Sequence, residues 1–332
     1  MKKFLSIALA LLMVCVMLPV VALAAEKTAS TYEELKSAIS TANDGDTIKL
    51  LADIDLSQTI TVNKTITLNM NGKKLYNTSD LWDKPTAEAN NWSLISVRGS
   101  GNLTITGNGT FAAKENDCYA VDVQESATVT IKNGTFIGNI HAVYVFAGTA
   151  NVEGGTYSVQ QKYPDSAKGD EFVLNCYDAN RANGTARINV TGGTFKNFNP
   201  ADNKAEGEGN NFADNSLVVQ KNNTVQNNDY YVGNAANEVI AAASKGEEIF
   251  VLNGTTLTNV PAGVIIQNRT GDRITVNGKD VELTGDAGYT VPASNITIIV
   301  PGDTIPAETP KTEDQKNPST GANDFVLSLI HI

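Results

Sequence analysis

Short stretches of alternating apolar and polar residues recur through the middle of the chain, each followed by a glycine, a threonine and an aromatic. Leu103 to Ile105 precedes Gly109-Thr110-Phe111, and Val129 to Ile131 precedes Gly134-Thr135-Phe136. Ala150 to Val152 precedes Gly155-Thr156-Tyr157, and Ile188 to Val190 precedes Gly193-Thr194-Phe195. The glycines lie 25, 21 and 38 residues apart. Period-two alternation marks a strand with one buried face. Its return at such intervals predicts a solenoid of stacked strands rather than one globular sheet. Each triplet aromatic is then expected to stack on its neighbours along the axis, while the glycine lets the backbone bend at the corner. Between the triplets, Val121 and Val123 align with Val143 and Val145, then with Val173 and Asn175. Alternation points these inward and puts Asp122, Tyr144 and Leu174 on the outer face.

Ahead of the repeats the pattern changes to a helical one. Thr31 caps, Glu34 answers three residues on, and Leu35, Ala38, Ile39 and Ala42 line one face before Gly45. Strands are expected over Thr47 to Leu51, Thr59 to Val62 and Thr65 to Met70, closing at an Asn71-Gly72 turn. The same order returns near the end. A helix is expected over Asn234 to Lys245, then strands over Ile249 to Leu252, Val264 to Gln267 and Ile274 to Val276, closing at Asn277-Gly278. Residues 233–300 therefore read as a small β-rich accessory module or C-terminal cap following a repeat region at 26–232.

The two ends point to export. Lys2 and Lys3 precede an apolar run from Phe4 to Val21, and Ala22-Leu23-Ala24 supplies a small-x-small cleavage pattern. Residues 1–25 thus read as a secretory signal peptide, cut after Ala24 or Ala25, leaving no stable membrane span. Residues 301–316 are proline-punctuated and poor in large apolar side chains, the composition of an extended tether.

Two resemblances sharpen this outline. The run Ala38-Ile39-Ser40-Thr41-Ala42-Asn43-Asp44-Gly45-Asp46-Thr47-Ile48 resembles the N-terminal cap and first turns of right-handed parallel β-helix proteins of the pectin-lyase-like superfamily. The block from Phe172 to Phe212 resembles β-helix segments of bacterial surface proteins and phage tail parts. The two stretches, Thr31 to Leu75 and Phe172 to Phe212, together make up 86 residues. They imply an all-β fold, a right-handed parallel β-helix with a short capping helix; they specify function poorly. Asn317-Pro318-Ser319-Thr320-Gly321 resembles the sorting motif of Gram-positive surface proteins. In that family a sortase cysteine attacks the Thr–Gly bond and joins the threonine carbonyl to a peptidoglycan amine. Carried over, Asn317 and Pro318 present the motif, Thr320 becomes the attachment residue and Gly321 heads the discarded tail. The family pattern continues with an apolar span and a basic tail. Here only Phe325 to Ile332 follows, without lysine or arginine, so 317–332 reads as an incomplete sorting signal.

Charge narrows the partners. The whole chain carries −11, and loss of Lys2 and Lys3 leaves 23 basic against 36 acidic residues, about −13. Such a surface disfavours nucleic acid and anionic membranes. Cys118 and Cys176 remain after export and are expected as two buried thiols, because strands two repeats apart lie about 10 Å apart, beyond disulfide reach. Two cysteines and two histidines make a poor zinc set.

Candidate chemistry falls into two classes. Aromatic faces stack on sugar rings, which singles out Trp82, Trp92, Tyr119, Tyr144 and Tyr177 as glycan contacts. Polar insertions at Ser158 to Asp170 and Lys196 to Asp214 break the repeat period, as functional loops do. Relatives of the resembled fold include polysaccharide lyases, which use aspartate-held calcium and a basic residue that takes the proton α to a uronate carboxylate. The weak counterparts here are Asp170, Glu171, Asp178 and Arg181, with Asp178 to Gly184 expected as a loop bearing a solvated ion pair. A hydrolase would instead need paired carboxylates, such as Asp122 with Asp178. His141 is expected to be structural. The leading expectation is a non-catalytic, cell-wall-anchored surface protein that binds a glycan or host surface ligand without a cofactor. The alternative is a lyase or hydrolase of acidic polysaccharides, with Ca2+ in the lyase case.

Overall fold

The computed structural model describes residues 24–82, 92–161, 171–201, 212–213, 217–221, 229–233, 235–253, 256–282 and 287–293. Nearly all of the expected leader, Asp170, the tether at 301–316, and Asn317, Pro318, Thr320 and Gly321 lie outside the described residues. The described chain is all-β and β-helix-like, with three large sheets that draw strands in turn from successive repeats.

The first sheet has seven strands, all parallel: Glu26–Ala29, Thr47–Leu50, Thr65–Asn69, Asn102–Thr106, Thr128–Ile131, Gly148–Val152 and Ala186–Val190. Register joins Ile66, Leu103, Val129, Ala150 and Ile188 in one inward row, and Leu68, Ile105, Ile131, Val152 and Val190 in the next. All ten are buried. The alternation that marked these segments thus fixes which face meets the core. The second sheet has five parallel strands: Ile60–Val62, Ser93–Val97, Tyr119–Val123, Val143–Val145 and Leu174–Cys176.

The third sheet begins with parallel strands Ile54–Asp55, Lys74–Tyr76, Thr110–Ala112, Thr135–Gly138, Thr156–Val159 and Gly192–Lys196. Its inward row is the aromatic stack expected from the triplets. Phe111 lies 4.8 Å from Phe136, Phe136 5.1 Å from Tyr157, and Tyr157 4.9 Å from Phe195, all within 13° of parallel. The corner glycines before three of these rings, Gly134, Gly155 and Gly193, have φ of +118°, +103° and +120°, a region that side chains rarely enter. Parallel stacking in this sheet gives way after Gly192–Lys196. Asp229–Gly233 pairs with it antiparallel, then come Leu217–Lys221, Glu248–Val251, Ile265–Asn268 and Tyr289–Thr290. Around these last strands a second apolar cluster forms, including Val239, Ile249, Val264 and Val276. The helix expected before them spans Ala236–Ala242, and the Asn277-Gly278 turn closes a hairpin between Ile274–Val276 and Lys279–Val281.

At the other end, the helix runs Tyr32–Ser40 and buries Leu35, Ala38 and Ile39. Thr31 Oγ1 accepts from Glu34 N at 3.2 Å, and the Glu34 carboxylate reaches back to accept from Ser30 N at 2.7 Å. The expected capping box is therefore closed one residue further out than usual.

Three details differ from expectation. Leu174, not Val173, pairs with Val143, and Cys176 pairs with Val145. The strand sits one residue over, which keeps apolar Leu174 and Cys176 inside and turns polar Asn175 outward, the outcome a buried face enforces. Asp122 does occupy the outer register of its sheet, yet it has no solvent exposure. The segment expected as a loop at Asp178 opens with a short helix, Asp178–Ala182. Cys118 and Cys176 are both buried and unbridged, as expected. Among the described residues no helix is long and apolar enough to cross a membrane.

Candidate functional site: an aromatic face on the five-stranded sheet

The outer register of the five-stranded sheet reads Thr61, Ser96, Asp122, Tyr144 and Asn175. The centre of this row is sealed from water. Ser96 donates its hydroxyl to Asp122 Oδ2 at 3.0 Å, and Gln124 Nε2 donates to Oδ1 at 2.8 Å. A buried carboxylate is tolerated there because hydrogen bonds satisfy it. Asp122 is thus a closed structural group, not a wall carboxylate available to a substrate.

Beside it four of the five expected aromatics come together, while the fifth, Tyr177, pairs with Phe146. Trp82 meets Trp92 edge-on at 4.5 Å and Tyr119 at 5.4 Å. Tyr119 lies 5.3 Å from Tyr144 and 4.6 Å from His141, and His141 stacks on Tyr144 at 5.2 Å. Two residues beyond Tyr144, Phe146 stacks on Tyr177 at 4.9 Å. Trp92, Phe146 and Tyr177 are 42%, 39% and 44% exposed, whereas Tyr119 is buried. Tyr119 is therefore a buried support for Trp82 and Tyr144, and Trp92, Phe146 and Tyr177 offer ring surface to solvent.

Backbone anchors hold these rings. Asp117, itself buried, accepts from Leu81 N, from Trp82 N at 2.8 Å, and from Asn77 Nδ2 at 2.6 Å. One carboxylate thereby fixes the segment carrying Trp82. Asn77 Oδ1 in turn accepts from Lys114 N at 2.8 Å, tying two repeats together. His141 contributes Nδ1, 2.8 Å from the Phe172 carbonyl, and Nε2, 3.3 Å from the Asn175 amide nitrogen. The carbonyl can only accept and the amide nitrogen only donate, so Nδ1 carries the proton and the ring is neutral. Burial lowers its pKa to about 4. Gly138 permits this turn, since a Cβ there would sit 1.6 Å from the His141 carbonyl oxygen.

The acidic candidates are not gathered in the same way. Asp178 pairs with Arg181 at 3.6 Å on the short helix, its side chain 83% exposed. Such an exposed pair is worth no more than about 1 kcal/mol. Glu171 is buried, and Asp170 lies outside the described residues. Among the described residues no three His, Cys, Asp or Glu side chains gather where they could hold a metal ion. Asp117, Asn77 and Phe146 were not among the expected site residues. Phe146 repeats the parity of Tyr144 one pleat on, a signal that was present. Nothing in the sequence marks Asp117.

Comparison of the chain with protein-family models, with curated proteins and with solved structures finds no match. What the arrangement can do chemically rests on its own residues. Exposed flat rings of this kind suit stacking on the C–H faces of sugar rings.

Proposed function

We propose that this is a secreted, wall-tethered surface protein that binds a glycan, without catalysis, on a right-handed parallel β-helix. Its organisation is a signal peptide at 1–25, the β-helix at 26–232, the β-rich cap or accessory module at 233–300, a tether at 301–316 and an incomplete sorting signal at 317–332 whose Thr320 is the residue a sortase would join to peptidoglycan. The observation that carries the binding role is the aromatic face. Trp92, Phe146 and Tyr177, from three of the repeats that build the five-stranded sheet, expose ring surface, while the buried Tyr119 and His141 rings pack against Tyr144. The chain's charge of −11 favours neutral over polyanionic glycans, because an acidic surface repels them at range.

The test is binding of the mature full-length chain to a panel of neutral plant, host and cell-wall glycans beside pectin and alginate, with calcium and with chelator. Retention on neutral glycans, unchanged by chelator and without new reducing ends or unsaturated uronates, is the expected result. Depolymerisation of an acidic glycan would overturn the non-catalytic reading.

A further inference from the structure

The start of the described chain holds a buried carboxylate with an unusual partner. Asp46 is 2% exposed. Its Oδ1 accepts from the backbone nitrogen of Ala25 at 2.8 Å, and its Oδ2 from Asn43 N at 3.0 Å. The Ala25 carbonyl accepts from Thr47 N at 2.8 Å, and Glu26–Ala29 then pairs in parallel with Thr47–Leu50 at the edge of the seven-stranded sheet. Ala25 is therefore built into the fold through both its backbone groups. Ala22-Leu23-Ala24 is the small-x-small pattern of a leader cleavage site, and alone it leaves cutting after Ala24 or after Ala25 open.

We propose that processing cuts the Ala24–Ala25 bond, and that the α-ammonium so created on Ala25 docks on Asp46 as an ion pair that locks the first strand to the sheet. The inference rests on the reading of residues 1–25 as an export leader. In the cut, a signal peptidase adds water to the Ala24 carbonyl carbon and the C–N bond breaks. Ala24 leaves with the leader as a carboxylate, and the Ala25 nitrogen takes up protons to become an ammonium. One amide donor facing Asp46 becomes three, with a full positive charge, and a charge-assisted bond is about twice as strong as a neutral one. Cutting one residue later would remove the donor and leave a buried carboxylate oxygen short of a partner.

The surrounding charges leave room for this cation. Lys64 Nζ donates to the carbonyls of Ser40 at 2.8 Å and Ala42 at 2.5 Å, and Lys27 Nζ approaches Thr41 Oγ1 at 3.4 Å. Asp44 accepts from Thr65 N at 3.0 Å, and Glu26 faces Lys49 at 3.9 Å. The Ala25 and Asn43 amides, helped by Lys27 and Lys64, already hold the Asp46 carboxyl below its ordinary pKa. An ammonium in the Ala25 position strengthens the same effect and has its own pKa raised in return. Folded-state stabilisation from the pair is then present at neutral pH. It is lost as pH rises through the raised amine pKa, and lost again as pH falls through the lowered Asp46 pKa.

The experiment is mass spectrometry of the secreted chain, followed by titration of its α-amine by 15N NMR. The expected product begins at Ala25, and its amine titrates at least one unit above the ordinary range of about 7.7–8.0. Asp46→Asn should return that value to the ordinary range. Should Asp46→Asn not fold, a chain that retains Ala24 provides the second arm, since its amine is displaced by one residue and should titrate normally. A product beginning at Glu26, or an Ala25 amine titrating in the ordinary range, overturns the proposal while leaving export intact. A secreted chain still beginning at Met1 overturns both.

Discussion

Removing one ring from the aromatic stack measures the coupling between repeats. Phe136 is fully buried between Phe111 at 4.8 Å and Tyr157 at 5.1 Å. Phe136→Ala deletes the ring and leaves a cavity, a change that costs about 3–5 kcal/mol. Phe136→Leu keeps most of the apolar burial but loses two stacked pairs, each worth about 0.5–1.5 kcal/mol, so about 1–3 kcal/mol is expected. The decisive quantity is coupling. In a double-mutant cycle, Phe111→Leu with Phe136→Leu should show about 0.5–1.5 kcal/mol of interaction. Phe111→Leu with Phe195→Leu should be additive, because two rungs intervene between those rings. Urea unfolding followed by far-UV circular dichroism supplies the free energies, with coincidence of the transition by tryptophan fluorescence checked first, since repeat arrays can unfold in parts. Equal coupling for the near and distant pairs, or none for the near pair, would refute nearest-neighbour stacking as the source of this stability.

Other consequences follow from the same geometry. His141 is neutral in the fold with a pKa near 4, against about 6.5 unfolded. The unfolded chain therefore binds the extra proton first, and stability falls by about 3 kcal/mol as pH drops from 6.5 to 4; His141→Gln should remove that part of the slope in denaturation curves run across the range. Asp117→Ala strands the Leu81 and Trp82 amides and the Asn77 side chain, which at about 1–3 kcal/mol per buried unsatisfied group should cost several kcal/mol in urea unfolding and shift tryptophan emission. An unchanged spectrum would contradict its role in holding Trp82. Burial raises the Cys118 thiol well above its ordinary pKa, so Cys118 should resist alkylation in the native protein and react once urea is added.

Much of the scaffold was legible in the sequence because stacking makes local pattern and global fold coincide. Leu103, Val129, Ala150 and Ile188 fall in one buried row because each strand repeats the alternation of the last. The Gly-Thr-aromatic triplets became a stack for the same reason. The pattern failed where both faces of a strand are covered. Ser93–Val97 and Tyr119–Val123 are buried throughout, so parity no longer separates inside from outside, and an outward register does not make Asp122 an exposed wall residue. At Phe172 to Cys176 the apolar run Phe172-Val173-Leu174 offers two registers, and only packing against Val143 and Val145 selects Leu174 and Cys176. The candidate site divides similarly. Aromatic residue type pointed to Trp82, Trp92, Tyr119, Tyr144 and Tyr177, whereas their support by Asp117, Asn77 and His141 depends on contacts spanning some 30–40 residues that no local pattern encodes.

The chain's two tryptophans both sit in the aromatic face, Trp92 exposed and Trp82 packed against it. Intrinsic fluorescence therefore reports on that face alone. Glycan binding at this face is read by titrating the mature full-length chain with the glycan it retains, with affinity measured independently by calorimetry. The expected result is a saturable change in tryptophan emission whose midpoint matches the calorimetric one, and at least a tenfold loss of affinity in Trp92→Ala with the fold intact. Saturable binding that leaves the emission unchanged and survives Trp92→Ala would contradict it.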